Sequence, residues 1–351
     1  MMKEDRLMKF ALHAMMGILV LLLTTSADVA AGNIEINGAV ATLGESEFTW
    51  NSQNFAGFYY DLDKNIGTEQ ITLRLSESDG ATSVLSDVAD ANGYPGVVYK
   101  TTAQMKNFKF QPWGSYLLIG FLGEPYFAGY SNAVTSAMES AGTSMPLLYD
   151  RSKNRNLMTN EQISRILLDD NTETYVSSAE PLKLGEGYEL AIKSVNANET
   201  SAVVELKKNG QSIDIKIVQP SLENSVISDQ TYFYRRSMGN TQDIVTIAVH
   251  FKNLFRGNNE SYSATVNGIF QVSDTPTQIK PDQQYGKMMI RTIDSNSMTI
   301  TMDNKDNRIV LTRNVDIPLM KNIDIKTADQ SDVSMENPLR YYLYKEVSCD
   351  R

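Results

Sequence analysis

The residues whose spacing says most about chemistry are Asp61, Asp63 and Asn65, inside the stretch NFAGFYYDLDKNIGTE that runs from Asn54 to Glu69. They stand at the first, third and fifth positions of an oxygen-ligand loop, where alternate side chains turn inward around a hard cation such as calcium. Two features depart from that pattern. Glycine comes one residue late, at Gly67, and the position that should bring a bidentate glutamate holds Thr72. Asn65 and Gly67 serve equally well as turn residues between two strands. A structural calcium ion is therefore the alternative to a plain turn, and the same applies to MDNKDNR (Met302 to Arg308), read as a hairpin end.

Other chemistry is mostly excluded by residue type. The chain has two histidines, and only His250, in the apolar stretch IVTIAVHF, lies beyond the first 31 residues. A zinc site of several histidines or cysteines cannot be built from that. There is no Gly-x-Ser-x-Gly elbow to accompany a catalytic histidine and no glycine loop of the phosphate-cradling type. Two carboxylates at a suitable separation could hydrolyse a glycoside, but among 42 acidic residues some such pair is inevitable, so the pattern carries no weight. No catalytic residue is assigned. Asn198, in Asn-Glu-Thr, and Asn259, in Asn-Glu-Ser, fit the N-glycosylation rule and fall in expected turns. Trp50, Tyr59, Tyr60 and Trp113 could stack on sugar rings if exposed together, which keeps a secreted carbohydrate-binding or adhesion module as the alternative reading.

The elements that must position these residues begin after a leader. Lys3, Arg6 and Lys9 flank the apolar run FALHAMMGILVLLL, followed by the small-residue stretch TTSADVAAG, the pattern of a signal peptide over residues 1–31. The run is too short to span a bilayer comfortably, so the expected product is exported. Residues 1–31 hold three basic and three acidic groups, so the net charge of -10 survives their removal. Such an acidic field repels phosphate and excludes a nucleic-acid partner. The one cysteine, Cys349, leaves an exported chain without internal disulfides, so packed cores must hold it.

Beyond the leader, short segments alternate at period two between turn residues, as in EQITLRLSES, SAVVELKKNG, SIDIKIVQP, DIVTIAVHF and SMTITMDNKDNRIVL. The expected class is mainly β, with antiparallel sandwiches. One short helix is expected in MTNEQISRILLDD, with Thr159 as N-cap and Ile163, Ile166 and Leu167 at helical spacing. The chain also resembles itself: Gly187–Ile215 lies over Gln284–Leu311, matching Tyr188 with Tyr285, Ile192 with Ile290, Val204 with Ile300 and Leu206 with Met302. That self-match, and the interruption around Pro220, divide the chain into a first β region (32–220) and a second (221–347). Phe55-Ala56-Gly57-Phe58-Tyr59 is echoed by Phe127-Ala128-Gly129-Tyr130, each expected to be a strand whose glycine receives an aromatic ring.

Several ordered blocks, FAGFYYDLDKNIGTEQITL, WGSYLLIGFLGEPYFAGY, ILLDDNTE, LKLGEGYELAI, VNGIFQVSD and VDIPLMKNIDIKTAD followed by LRYYLYKEV, resemble the duplicated domain of the surface-layer (S-layer) tile proteins of methanogenic archaea. The resemblance covers residues 34 to 347. It implies tandem β-sandwiches packing side by side into a porous two-dimensional coat outside the cytoplasmic membrane, without catalysis. The usual tile protein carries two copies of the domain, a linker and a C-terminal transmembrane helix. This chain has one copy and reaches Arg351 without such a helix. The expectation is therefore a subunit with no C-terminal anchor of its own, partnered by other S-layer subunits, either itself or an anchored two-copy tile protein.

Overall fold

A computed structural model describes residues 33–75, 80–85, 96–131, 133, 136–140, 142, 147–149, 156–239, 241–258 and 261–348. The expected leader, Asn259 and Cys349 lie outside these residues. The described chain ends, 33–35 and 346–348, group as a small unit of their own, in which Asn33 Nδ2 donates to Glu346 at 3.0 Å. Residues 36–345 form the main unit.

The main unit is antiparallel β throughout, as the period-two alternation requires. A nine-stranded sheet runs in the order Thr231–Met238, Thr241–Arg256, Tyr262–Val272, Gln162–Asp170, Glu124–Tyr130, Ser115–Phe121, Gln104–Asn107, with two further strands attached. A four-stranded meander, Leu182–Lys183, Tyr188–Val195, Ala202–Lys208 and Gln211–Val218, covers one face of it. A six-stranded sheet joins Gln284–Tyr285, Met288–Asp294, Thr299–Asp303, Val97–Thr102, Glu69–Arg74 and Glu47–Asn51. Facing it are Asp316–Met320, Ile323–Thr327 and Arg340–Ser348, the last also pairing with Ala41–Thr42.

Three cores result. Trp50, Ile71, Tyr99, Ile300, Met302, Ile325, Tyr341 and Leu343 fill the first. The meander closes the second with Leu190, Val204 and Leu206 against Tyr232, Val249 and Val266. Phe108, Trp113, Tyr116, Phe127, Ala248 and Phe270 make the third, largely of edge-to-face ring contacts. The strand Thr241–Arg256 feeds two of them, sending Ile247 and Val249 to the second and Val245 and Ala248 to the third. It is buried on both faces, which is why DIVTIAVHF is an almost unbroken apolar run.

The helix expected in MTNEQISRILLDD is a strand. Asn156, not Thr159, caps a single 3-10 turn, its side chain accepting from Met158 N at 2.9 Å. Glu161 then takes left-handed backbone (φ 55) and the chain extends into Gln162–Asp170. Ile163 packs in the first core, Leu168 against the second and Ile166 against the third, and serving three cores gives one strand apolar residues at helix-like spacing. Among the described residues the α-helix is Ser136–Ser140.

The aromatic echo also divides. Phe127–Tyr130 lies in a strand, whereas 55–59 is a turn in which a Cβ on Gly57 would stand 2.2 Å from the Phe55 ring. The internal match holds for its first hairpin. Tyr188–Val195 with Ala202–Lys208, and Met288–Asp294 with Thr299–Asp303, bulge directly after the matched Ile192 and Ile290. The third strands part company, since Gln211–Val218 stays in the meander while Ile309–Leu311 pairs with Ser83–Leu85. The two regions expected on either side of residue 220 also share sheets: Val97–Thr102 pairs with Thr299–Asp303, and Gln162–Asp170 with Tyr262–Val272.

Candidate functional site: the Asp61 hairpin and its buried charges

Tyr60–Asp61 and Ile66–Gly67 form a two-rung ladder, so 62–65 is the turn of a small hairpin. Asn65 supplies the left-handed residue (φ 55), and Asp61 Oδ1 accepts from Lys64 N at 3.0 Å, the local bond that makes aspartate a turn former. Each expected calcium ligand has a protein partner. Asp61 turns inward to Lys106, whose Nζ lies at 2.6 Å; exposed Asp63 pairs with Lys109; Asn65 accepts from the Tyr60 hydroxyl. Two of the three expected ligands, Asp61 and Asp63, thus each have a lysine partner. Among the described residues no group of three or more acidic, histidine or cysteine side chains is arranged to hold a metal ion.

Behind the hairpin lies a buried ionic cluster. Lys106 also lies 3.6 Å from Asp169, which accepts from Tyr116 OH at 3.0 Å and Lys109 N at 2.9 Å. Burial pushes the Asp61 carboxyl up, but the Lys106 hydrogen bond and charge outweigh it and hold Asp61 below its ordinary value. For Asp169 burial wins and the carboxyl is raised. Lys106 is raised, because burial is outweighed by its bond to Asp61 and the charge of Asp169.

Two more buried carboxylates tie sheets together. Glu69, 3% exposed, accepts from Tyr59 N at 3.0 Å, Tyr99 OH at 2.9 Å and Gly123 N at 2.9 Å. It links the six-stranded sheet to the turn of the Ser115–Tyr130 hairpin, where Gly123 (φ 78) leaves no room for a Cβ against Gly57 O. Asp274 gathers Tyr188 OH, Lys208 Nζ and Arg236 Nη1 at 2.6–2.7 Å, clasping the meander to the nine-stranded sheet. Sequence reading missed all three. Lys106 in particular is buried while its neighbour Met105 is 53% exposed, the reverse of what hydropathy suggests.

Beside the hairpin is an open polar hollow of about 410 Å³, lined by Asn51, Gln53, Tyr60, Asn65, Gln70 and Lys100 among others. The carboxylate in its lining, Glu69, is held by the three donors above and faces no second acid there. His250 is hydrogen-bonded between Asn267 at 2.7 Å and Gln230 at 3.2 Å and stacks on Phe110. Burial pushes its pKa down, and its partners are amides rather than a nucleophile and a carboxylate. Trp50 and Trp113 are fully buried, while Tyr59 and Tyr60 are half-buried, so the four rings form no open stacking platform. Asn198 is exposed in a tight loop, where Asn196 accepts from Thr200 N and Ser201 N and Glu199 takes φ 55.

The geometry is that of charge clasps between sheets. Over 97% of its length the chain is 27% identical to the Major S-layer protein of Methanosarcina mazei and 24% identical to that of Methanosarcina barkeri. It is 25% identical to the Major S-layer protein of Methanosarcina acetivorans over the same share. The chain spans about half the length of these relatives, 46% for the first two and 47% for the third. A family model described as S-layer protein matches residues 41–329, which runs through all three cores, and the chain therefore belongs to the S-layer protein family.

Proposed function

We propose that this chain is a structural subunit of an archaeal surface layer, exported by its leader and working by repeated contact with other S-layer subunits in a porous coat outside the cytoplasmic membrane. The carrying observation is the family match over 41–329, which takes in nearly the whole main unit. Its action is geometric and electrostatic. A net charge of -10 makes pore rims that attract cations and repel anions over about 8–10 Å at physiological salt. Among the described residues no helix is long and apolar enough to cross a membrane. The partners proposed for the chain are other S-layer subunits, either further copies of itself or an anchored two-copy tile protein. N-linked glycans are proposed at Asn198 and Asn259.

The test is electron microscopy of the purified chain at two salt concentrations, with and without millimolar calcium. Ordered sheets are the expected result. Sheets that require calcium would transfer exposed carboxylates such as Asp63 from lysine pairing to cation bridging. A monomer under every condition would overturn self-assembly.

A further inference from the structure

Among the described residues the strand Gln211–Val218 ends the meander sheet, so one of its backbone edges has no neighbour in the ladder there. Its side chains are unusual for such a position. Ile213, Ile215 and Ile217 are 41, 57 and 65% exposed, a row of apolar residues beside an open hydrogen-bonding edge. Natural edges are blunted by proline, bulges or unanswered charge. The edge strand Asp316–Met320 of this same chain shows the first two, with Pro318 and a bulge beside it. Gln211–Val218 has no proline, and its one irregularity lies at the start, leaving Asp214–Val218 regular. Its lysine, Lys216, lies 3.2 Å from Asp214 and also donates to Phe233 O, while Asp214 accepts from Tyr232 OH at 2.6 Å, so both charges have partners within the chain and a second copy would share them.

The sequence of this edge, Ile213-Asp214-Ile215-Lys216-Ile217, is complementary to itself when reversed. Laid antiparallel about a two-fold axis through Ile215, it sets Ile215 against Ile215 and Asp214 against Lys216 of the partner subunit, with Ile213, the bulge residue, just outside the regular part. Directly opposed residues of an antiparallel pair share a face, so both charge pairs would fall on one face and the isoleucines on the other. Within the chain Ile215 faces Glu205 and Lys216 faces Val204, which places the isoleucines on the outer face and the charges at the rim of the core. A contact of this kind is isologous, the same patch serving both copies.

We infer that Gln211–Val218 is a self-pairing edge through which a second copy of this chain joins, fusing two four-stranded meanders into one continuous sheet. The inference rests on the surface-layer reading only for its setting. The test places single cysteines in a Cys349→Ser background and follows association by sedimentation velocity. Ile215→Cys should give an air-oxidised covalent dimer, while Val226→Cys, 55% exposed but off the strand, should not. Asp214→Lys should weaken association about tenfold or more, because two attractive cross-strand pairs become repulsive. The exchange Asp214→Lys with Lys216→Asp should restore it. Ile215→Lys keeps the test sound if the charge variants unfold, since its side chain faces solvent.

Absence of the Ile215→Cys dimer, or association unchanged in Ile215→Lys, overturns the inference. Ordered sheets persisting in Ile215→Lys likewise overturn the strand contact while the surface-layer reading stands. An Ile215→Cys dimer from a chain that never forms sheets supports the contact and counts against the layer.

Discussion

Lys106 neutralises charge that the chain has already buried. Removing one partner of a buried pair strands the other, at a cost of about 3–5 kcal/mol. Lys106→Met is expected to destabilise by that order in denaturant unfolding, because Asp61 and Asp169 would lose the cation between them and keep only their neutral hydrogen-bond donors. The pH dependence has two signs. Asp274 is held below its ordinary value, burial being outweighed by Lys208, Tyr188 and Arg236, so its stabilisation is present above the ordinary carboxylate pKa and is lost as pH falls through the lowered one. Asp61 behaves likewise. Asp169 and Glu69, raised chiefly by burial, favour the fold at low pH and lose that contribution as pH rises through their raised values. Asp274→Asn should therefore cost most near neutrality, the difference from the parent shrinking below about pH 4, which unfolding curves across pH would show. None of these partners was legible in the sequence, because ion pairing between 61, 106 and 169 depends on strands that meet only in three dimensions.

At the scale of elements, alternation found the hairpins and missed what tertiary packing overrides. EQITLRL and SAVVELKK are strands that bury their alternating apolar residues, and each also buries a glutamate, Glu69 or Glu205, that hydropathy would leave outside. The failure at Gln162–Asp170 has a clear origin, since a strand shared by three cores loses its period of two and mimics a helical stripe. Asp61, Asp63 and Asn65 illustrate the limit for sites: spacing alone gives calcium ligands and turn residues the same score, and the lysine partners of Asp61 and Asp63 are visible only in three dimensions. The turn at 55–59 carries its own prediction. Gly57→Ala would drive a methyl into the Phe55 ring, and since Phe55 is packed edge-on to Phe58, relief requires moving the core. A loss of about 1–3 kcal/mol is expected, read as a lowered thermal midpoint.

For the whole molecule, the sequence correctly indicated an all-β chain and a repeated hairpin, but its division near residue 220 does not separate the sheets. Strands from both sides of that point complete each other, Glu69–Arg74 and Val97–Thr102 lying in one sheet with Met288–Asp294 and Thr299–Asp303. A fragment of residues 33–220 is therefore expected to lack a cooperative unfolding transition by circular dichroism, because its share of the first core would have no facing wall. The same interleaving sets the timing of folding. When the chain emerges amino end first, Trp50, Ile71 and Tyr99 wait for Ile300 and Met302, some two hundred residues behind, before their core can close. Nearly the whole chain must emerge before that core can close, whereas Thr241–Arg256 finds its neighbours Thr231–Met238 and Tyr262–Val272 close by in sequence. Until the first core closes, Trp50, Ile71 and Tyr99 stay uncovered, so the yield of folded subunits is limited by how well unfinished chains are kept apart.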